Sequence, residues 1–318
     1  MKKTLILLVI IITTCSLSAQ QGTVYSLYFQ DHYYLNPAAA GSKGLTVFNI
    51  SAKEFWLGFP ENTPGSQSLV FHTRMNKLNF NFGNHRYSRR NEGRVGLGAM
   101  IYNDMNGPIR KTGAVLTYAY HIRLKEANMS FGLSSNNYQV FLNTDDIQLK
   151  SNIPDPALNE IQGFYTSDIN LGFYISARDY FISLSANSLL EGKVKINANE
   201  IINDIENRQY NFATGYRFKL NTKWDVEPLL LLQVNEEGLY RMDFNARWTY
   251  LKRFWMGVGF SSKRLITFVG INSEQFDFGY SFQMPNKDVI EYSFGAHEIL
   301  FTMKFGQDRF NRYQRFYR

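Results

Sequence analysis

Between residues 208 and 220 the chain alternates without a break. Tyr210, Phe212, Thr214, Tyr216, Phe218 and Leu220 hold one parity, and Asn211, Ala213, Gly215, Arg217 and Lys219 hold the other. A period of two is the repeat of a pleated strand, whose successive side chains point to opposite faces. Residues 238–250 repeat it, with Tyr240, Met242, Phe244, Ala246, Trp248 and Tyr250 set against Arg241, Asp243, Asn245, Arg247 and Thr249. Residues 274–284 do so again, with Phe276, Phe278, Tyr280 and Phe282 opposed to Gln275, Asp277, Gly279, Ser281 and Gln283. Strands of soluble sandwiches run about 5 to 6 residues, whereas a tilted strand crossing a bilayer needs roughly 9 to 11. These segments have the second length. Lipid offers no partner to backbone polar groups, so such strands span a membrane only as a closed barrel. The pattern predicts an all-β transmembrane antiparallel barrel, with a soluble β-protein as the alternative.

Turn signals between the alternating segments place strands near 44–54, 66–74, 93–103, 110–122, 128–138, 164–176 and 179–188. Seven more are expected near 208–220, 223–234, 238–250, 253–261, 263–272, 274–284 and 297–305. The total is about 14, an even number. Bacterial barrels with both termini in the periplasm place short turns after even strands and long loops after odd ones. Short links are expected after strands 4, 6, 8, 10 and 12, and long ones after 1, 5, 7 and 13. The misfit is 76–92, a long basic segment on the expected periplasmic side that carries Lys77, His85, Arg86, Arg89 and Arg90. At a strand spacing of about 4.8 Å and a tilt of about 40°, such a barrel has a backbone diameter of roughly 28 Å. Wall side chains alone do not fill that, so either the lumen conducts water or a segment plugs it. The lumenal face is mixed in sign. This favours a charge network, with Arg241, Asp243 and Arg247 beside Asp225 and Glu227 at its middle, over a selective pore.

The amino terminus changes the picture from any barrel to an exported one. Lys2 and Lys3 precede an apolar run from Leu5 to Ile12 and then small and polar residues through Gln20, the form of a signal peptide cleaved after Ser18 or Ala19. A lipoprotein modified at Cys15 is the competing reading, disfavoured by Thr14 just before it. Cys15 is the single cysteine, so the mature chain would carry no disulfide or thiol chemistry. No later stretch approaches the ~18 apolar residues of a membrane helix. The formal net charge of +7 falls by two when Lys2 and Lys3 leave, too modest a balance to argue for nucleic acid. The 20 tyrosines and 26 phenylalanines fit aromatic girdles at the bilayer surfaces.

Several landmarks then appear in order. Tyr25, Ser26, Leu27 and Tyr28 lead to Leu35, Asn36, Pro37, Ala38, Ala39, Ala40, Gly41 and Ser42. Trp56, Gly58, Pro60 and Thr63 follow, then Gly96, Leu97 and Gly98 with Asp104, Gly107, Tyr118 and Tyr120, and finally Gly295, Ala296, His297, Glu298 and Ile299. In this order they resemble the PorP/SprF family of type IX secretion outer-membrane proteins, whose first signature approximates N-P-A-x-A-G. Ala39 stands where an aromatic is common in the family. The resemblance covers nearly the whole mature chain. It implies a barrel of the type IX secretion and gliding machinery that supports export and surface attachment of partner proteins such as adhesins. The implied partners are a secreted client, periplasmic secretion or motility components and outer-membrane lipids. Asn36, Pro37, Ala38, Gly41, Trp56, Gly58, Pro60, His297 and Glu298 become candidates for motif or partner contacts.

The residues also have plainer readings. His297 and Glu298 are adjacent, so on a strand they face opposite ways and make a poor metal or acid/base pair. No catalytic residue, cofactor or metal is expected. Asn36 before Pro37 reads as a turn ahead of the first strand, or, through the family, as a plug or periplasmic docking segment. Arg309, Arg312, Arg315 and Arg318 recur every third residue in the tail, interleaved with Phe310, Tyr313, Phe316 and Tyr317. The tail is either a solvated basic end or, with Arg86, Arg89 and Arg90, a periplasmic contact surface. The expected organisation is a signal peptide at 1–19, a motif segment at 20–43, the barrel at 44–305 and a basic aromatic tail at 306–318, with both termini periplasmic. The competing functions are an outer-membrane diffusion channel or transporter and, last, an outer-membrane hydrolase.

Overall fold

The alternating segments become long antiparallel strands whose greasy parity faces outward and whose polar parity faces inward. The computed structural model describes residues 25–55, 63–75, 93–142, 163–191, 194–197, 200–202, 207–236, 238–261, 264–285 and 293–306. Its strands are β1 (Thr46–Glu54), β2 (Gly65–Met75), β3 (Val95–Asn106), β4 (Ile109–Arg123), β5 (Ala127–Leu142), β6 (Phe164–Ala177) and β7 (Tyr180–Asn187). Then come β8 (Val194–Asn197), β9 (Glu200–Ile202), β10 (Gln209–Tyr216), β11 (Phe218–Lys219), β12 (Trp224–Asn235), β13 (Gly238–Tyr250) and β14 (Phe254–Ser261). The last are β15 (Arg264–Asn272), β16 (Phe276–Gln283) and β17 (Ala296–Phe305).

Neighbours in sequence pair around the sheet, β1 pairs with β17 from Thr46↔Phe305 to Glu54↔His297, and β10 pairs with both β7 and β12. The sheet therefore closes on itself. With β10 and β11 counted as one interrupted stave, it is a 14-strand antiparallel barrel. Closure meets every ladder donor and acceptor within the wall, as lipid requires. The expected strand at 238–250 is β13 residue for residue. The expected strand at 208–220 is broken at Arg217, whose backbone N–H leaves the ladder for the Asp179 carbonyl at 2.6 Å. The short β8–β9 hairpin is an addition that alternation over so few residues does not announce.

Outward positions such as Ile101, Leu116, Phe244, Met256 and Val269 are exposed large hydrophobics, the surface a bilayer covers. Near one rim the outward ring includes Tyr120, Tyr180, Tyr216, Phe218, Phe254 and Phe276, placed as an interfacial aromatic belt. The inward positions carry Asn49, Ser51, His72, Thr117, His121, Asp243 and Glu298, all buried. They are buried because the lumen is occupied. Residues 25–45 lie within it, and their Leu27, Tyr28, Phe29, Tyr33, Leu35 and Ala38 form one apolar cluster with the inward-facing Leu229, Leu231, Trp255, Ile266, Phe268 and Leu300.

Candidate functional site

The lumenal segment runs from one end of the barrel to the other. The loop end carries the connections 55–64, 143–163, 188–208 and 284–295; the turn end carries 124–126, 178–179, 220–223, 251–253 and 273–275. Tyr25 stands at the loop end, its hydroxyl 2.7 Å from Ser66 Oγ near the start of β2. Beside it Glu298 of β17 accepts the backbone N–H of Ser26 at 2.6 Å and of Leu27 at 3.0 Å, one carboxylate oxygen to each. Lys53, opposite Glu298 in the β1–β17 register, lies 3.7 Å from that carboxylate and donates to Ser26 Oγ at 3.1 Å. A carboxylate holding two amides and a lysine is a charge-assisted clamp. Its buried charges are compensated, which an isolated buried carboxylate would not be.

Further in, Asn245 donates to the Tyr28 hydroxyl at 3.1 Å. Phe29 packs against Phe268 and Trp255, with ring centres 4.9 and 5.8 Å away, and under the Arg247 guanidinium at 5.2 Å. Asp31 caps the single 3-10 turn His32–Tyr34 by accepting from the Tyr33 N–H at 3.1 Å. Its other oxygen accepts from Asn49 Nδ2 and lies 2.9 Å from His72 Nε2. His32 sits edge-on to Phe181, ring centres 4.0 Å apart. Burial there pushes its pKa down to about 4, helped by Lys43 and opposed by Asp31 and Glu227.

Asn36 joins the segment to the wall. Its backbone is extended, as a residue before proline prefers, and Pro37 opens the second 3-10 turn, Pro37–Ala39. Asn36 Oδ1 accepts from the Ala38 N–H at 2.8 Å, while Nδ2 reaches Phe173 O and Ser183 Oγ at 2.8 Å and Leu184 O at 2.9 Å. Two glycines directly opposite each other in the wall, Gly132 of β5 and Gly172 of β6, admit this turn. A Cβ at Gly172 would lie 1.9 Å from Asn36 Oδ1, and one at Gly132 2.2 Å from the Ala38 nitrogen.

Two histidines hold the exit at the turn end. Gly41 donates its N–H to His72 Nδ1 at 3.1 Å, so the ring proton belongs to Nε2 and is donated to Asp31. His121 Nε2 donates to the Ala40 carbonyl at 2.9 Å, and Nδ1 accepts from Ser130 Oγ at 2.7 Å. Gly41 has φ +69°, and a Cβ on it would come 2.7 Å from the Thr73 carbonyl oxygen. The chain then enters β1.

Of the candidate residues, Asn36, Pro37, Ala38, Gly41 and Glu298 meet in this lumenal packing. His297 faces away, 2.7 Å through Nδ1 from the Tyr280 hydroxyl and 3.2 Å through Nε2 from the Phe294 carbonyl. Trp56, Gly58, Pro60, Arg86, Arg89, Arg90, Arg309, Arg312 and Arg315 lie outside the described residues, as do the leader and Cys15. In the charge network, Arg247 meets Glu227 across the β12–β13 ladder. Arg241 instead pairs with Asp243 two residues along its own strand, Nε to Oδ1 at 2.9 Å. Asp225 lies one step nearer the turn end, opposite Thr249. The clamp of Glu298 and Lys53 and the histidines at 72 and 121 were not singled out from sequence. Among the described residues no three His, Cys, Asp or Glu side chains gather as a metal site would require.

A protein-family model described as "Type IX secretion system membrane protein PorP/SprF" matches residues 17–303. No curated protein sequence matches the chain. Among solved structures, the KdgM porin is similar with a TM-score of 0.36 at 9% identity, covering 82% of this chain and 99% of that one. The toluene transporter TbuX of Ralstonia pickettii gives 0.41 at 12% identity, covering 86% and 92%. An active-site variant of outer membrane phospholipase A from Escherichia coli gives 0.36 at 8% identity, covering 86% and 94%. Likenesses of this degree carry no argument about activity.

Proposed function

This chain belongs to the PorP/SprF family of type IX secretion system membrane proteins, and we propose that it supports the export and cell-surface attachment of partner proteins such as adhesins, without catalysing a reaction. The observation that carries this reading is the filled lumen. A segment clamped at the loop end by Glu298 and at the turn end by His72 and His121 suits a scaffold better than a conduit. Periplasmic secretion or motility components are the proposed inner partners. The basic residues at 76–92 and the tail after Phe305 suit that contact, because β17, β1, β2 and β3 are neighbours and both stretches leave the wall at the turn end.

Deleting the gene and following exported proteins tests the reading. Client proteins should lose their surface attachment and appear in the medium, while uptake of small solutes stays unchanged. Loss of solute uptake with surface proteins intact would instead favour the diffusion channel or transporter.

A further inference from the structure

On the loop-end side of the segment the lumen keeps a cavity of about 170 Å³, with Tyr25, Tyr34 and Leu35 at its floor and Tyr102, Gln209 and Gln233 on its walls. At about 30 Å³ per liquid water that is room for roughly six waters, or for one sugar ring with its hydroxyls. Its two charged lining residues are of opposite sign and already engaged. Lys111 lies 4.1 Å over the Tyr138 ring, and Asp104 accepts from Ser66 Oγ.

The hydrogen bonds beside this cavity have a fixed direction. The Leu35 carbonyl can only accept, so Ser185 Oγ gives it its single hydrogen, at 2.7 Å. Ser185 Oγ must then accept from Asn211 Nδ2 at 3.0 Å. Asn211 therefore turns Oδ1 to Gln233 Nε2, at 2.8 Å. The relay ends at Gln233 Oε1, an acceptor on a side chain that is 1% exposed and that has no protein partner among the described residues. On the same wall Asn187 Oδ1 is in the same condition. An unmet buried acceptor costs about 1–3 kcal/mol, and the cavity is where a donor can enter.

We propose that this vestibule binds one neutral sugar unit, whose hydroxyls donate to the amide oxygens of Gln233 and Asn187 and whose apolar face lies against the tyrosine rings. A peptide fits less well. Strand addition needs a free sheet edge, and the closed barrel has none. Engaged charges of both signs likewise leave no demand for an ionic ligand.

Saturation-transfer NMR on the purified full-length protein tests this, with glucose, galactose, mannose and N-acetylglucosamine as probes, maltotriose and chitotriose as glycan ends, and triglycine as the peptide arm. At least one sugar should show transfer. A response from monosaccharides alone assigns a free sugar, and one from a trisaccharide as well assigns a glycan end. Gln233→Leu should weaken binding roughly three- to tenfold. Gln209→Trp, which fills the vestibule without touching the relay, should abolish it and carries the test if Gln233→Leu fails to fold. No transfer from any sugar, transfer unchanged in both variants, or triglycine binding in place of sugar would each overturn the proposal.

Discussion

Asn36 accepts from its own turn through Oδ1 and donates through Nδ2 to β6 and β7, so its amide is used on both sides. Asn36→Ala removes a cap worth about 1 kcal/mol and strips donors from buried acceptors at about 1–3 kcal/mol. Asn36→Asp keeps the cap but sets a carboxylate against carbonyl oxygens, and should be the worse of the two. Protease sensitivity of the segment in detergent should follow the order wild type, Ala, Asp. Gly172→Ala should raise it as well, since the added Cβ meets Asn36 at 1.9 Å. His32 gives a pH dependence. Its seated ring has a pKa of about 4, whereas a released histidine titrates near 6.5. Below that value the released form takes up a proton that the seated form refuses. Seating is therefore strongest above about pH 6.5 and weakens as the pH falls toward 4. Acidification from pH 7 to 5 should increase protease access to residues 25–45, and His32→Phe, which keeps the ring against Phe181, should flatten that response.

The wall strands were legible because each has two environments, and two environments imprint a period of two. The lumenal segment has only one. Wall or cavity surrounds residues 25–42 on every side, Leu27, Ala38 and Ala40 are buried as fully as Asn36, and no solvated face exists to leave a repeat. The sequence did hold an indirect mark of it. Gly96, Gly98, Gly132, Gly172, Gly257 and Gly279 all fall on inward parities, and missing side chains on a lumenal face make room for something inside. Glycine in a strand also signals a bulge or bend, so the mark is ambiguous without coordinates. The clamp at Glu298 was visible only as an inward parity, since its partners are backbone amides some 270 residues earlier. Glu298→Gln with Lys53→Met should loosen the loop end of the segment, read as faster hydrogen exchange at Ser26 and Leu27 with the β13–β14 ladder unchanged. Removing residues 306–318 should reduce co-purification of periplasmic components while leaving barrel assembly intact.

At the scale of the molecule, a barrel wide enough to need filling contains its own filling. The stave count followed from strand period and turn chemistry, because a one-residue slip would turn polar residues to lipid. The contents of the lumen depend on packing between distant parts of the chain, which local pattern does not encode. The central claim is that this segment closes the barrel, so that it serves as a scaffold for export and attachment. Planar-bilayer conductance at neutral pH, comparing the intact protein with one lacking residues 25–42, tests it most directly. The intact protein should pass no steady current and the deletion should open a stable conductance; a steady current through the intact protein, unchanged by the deletion, would contradict the account.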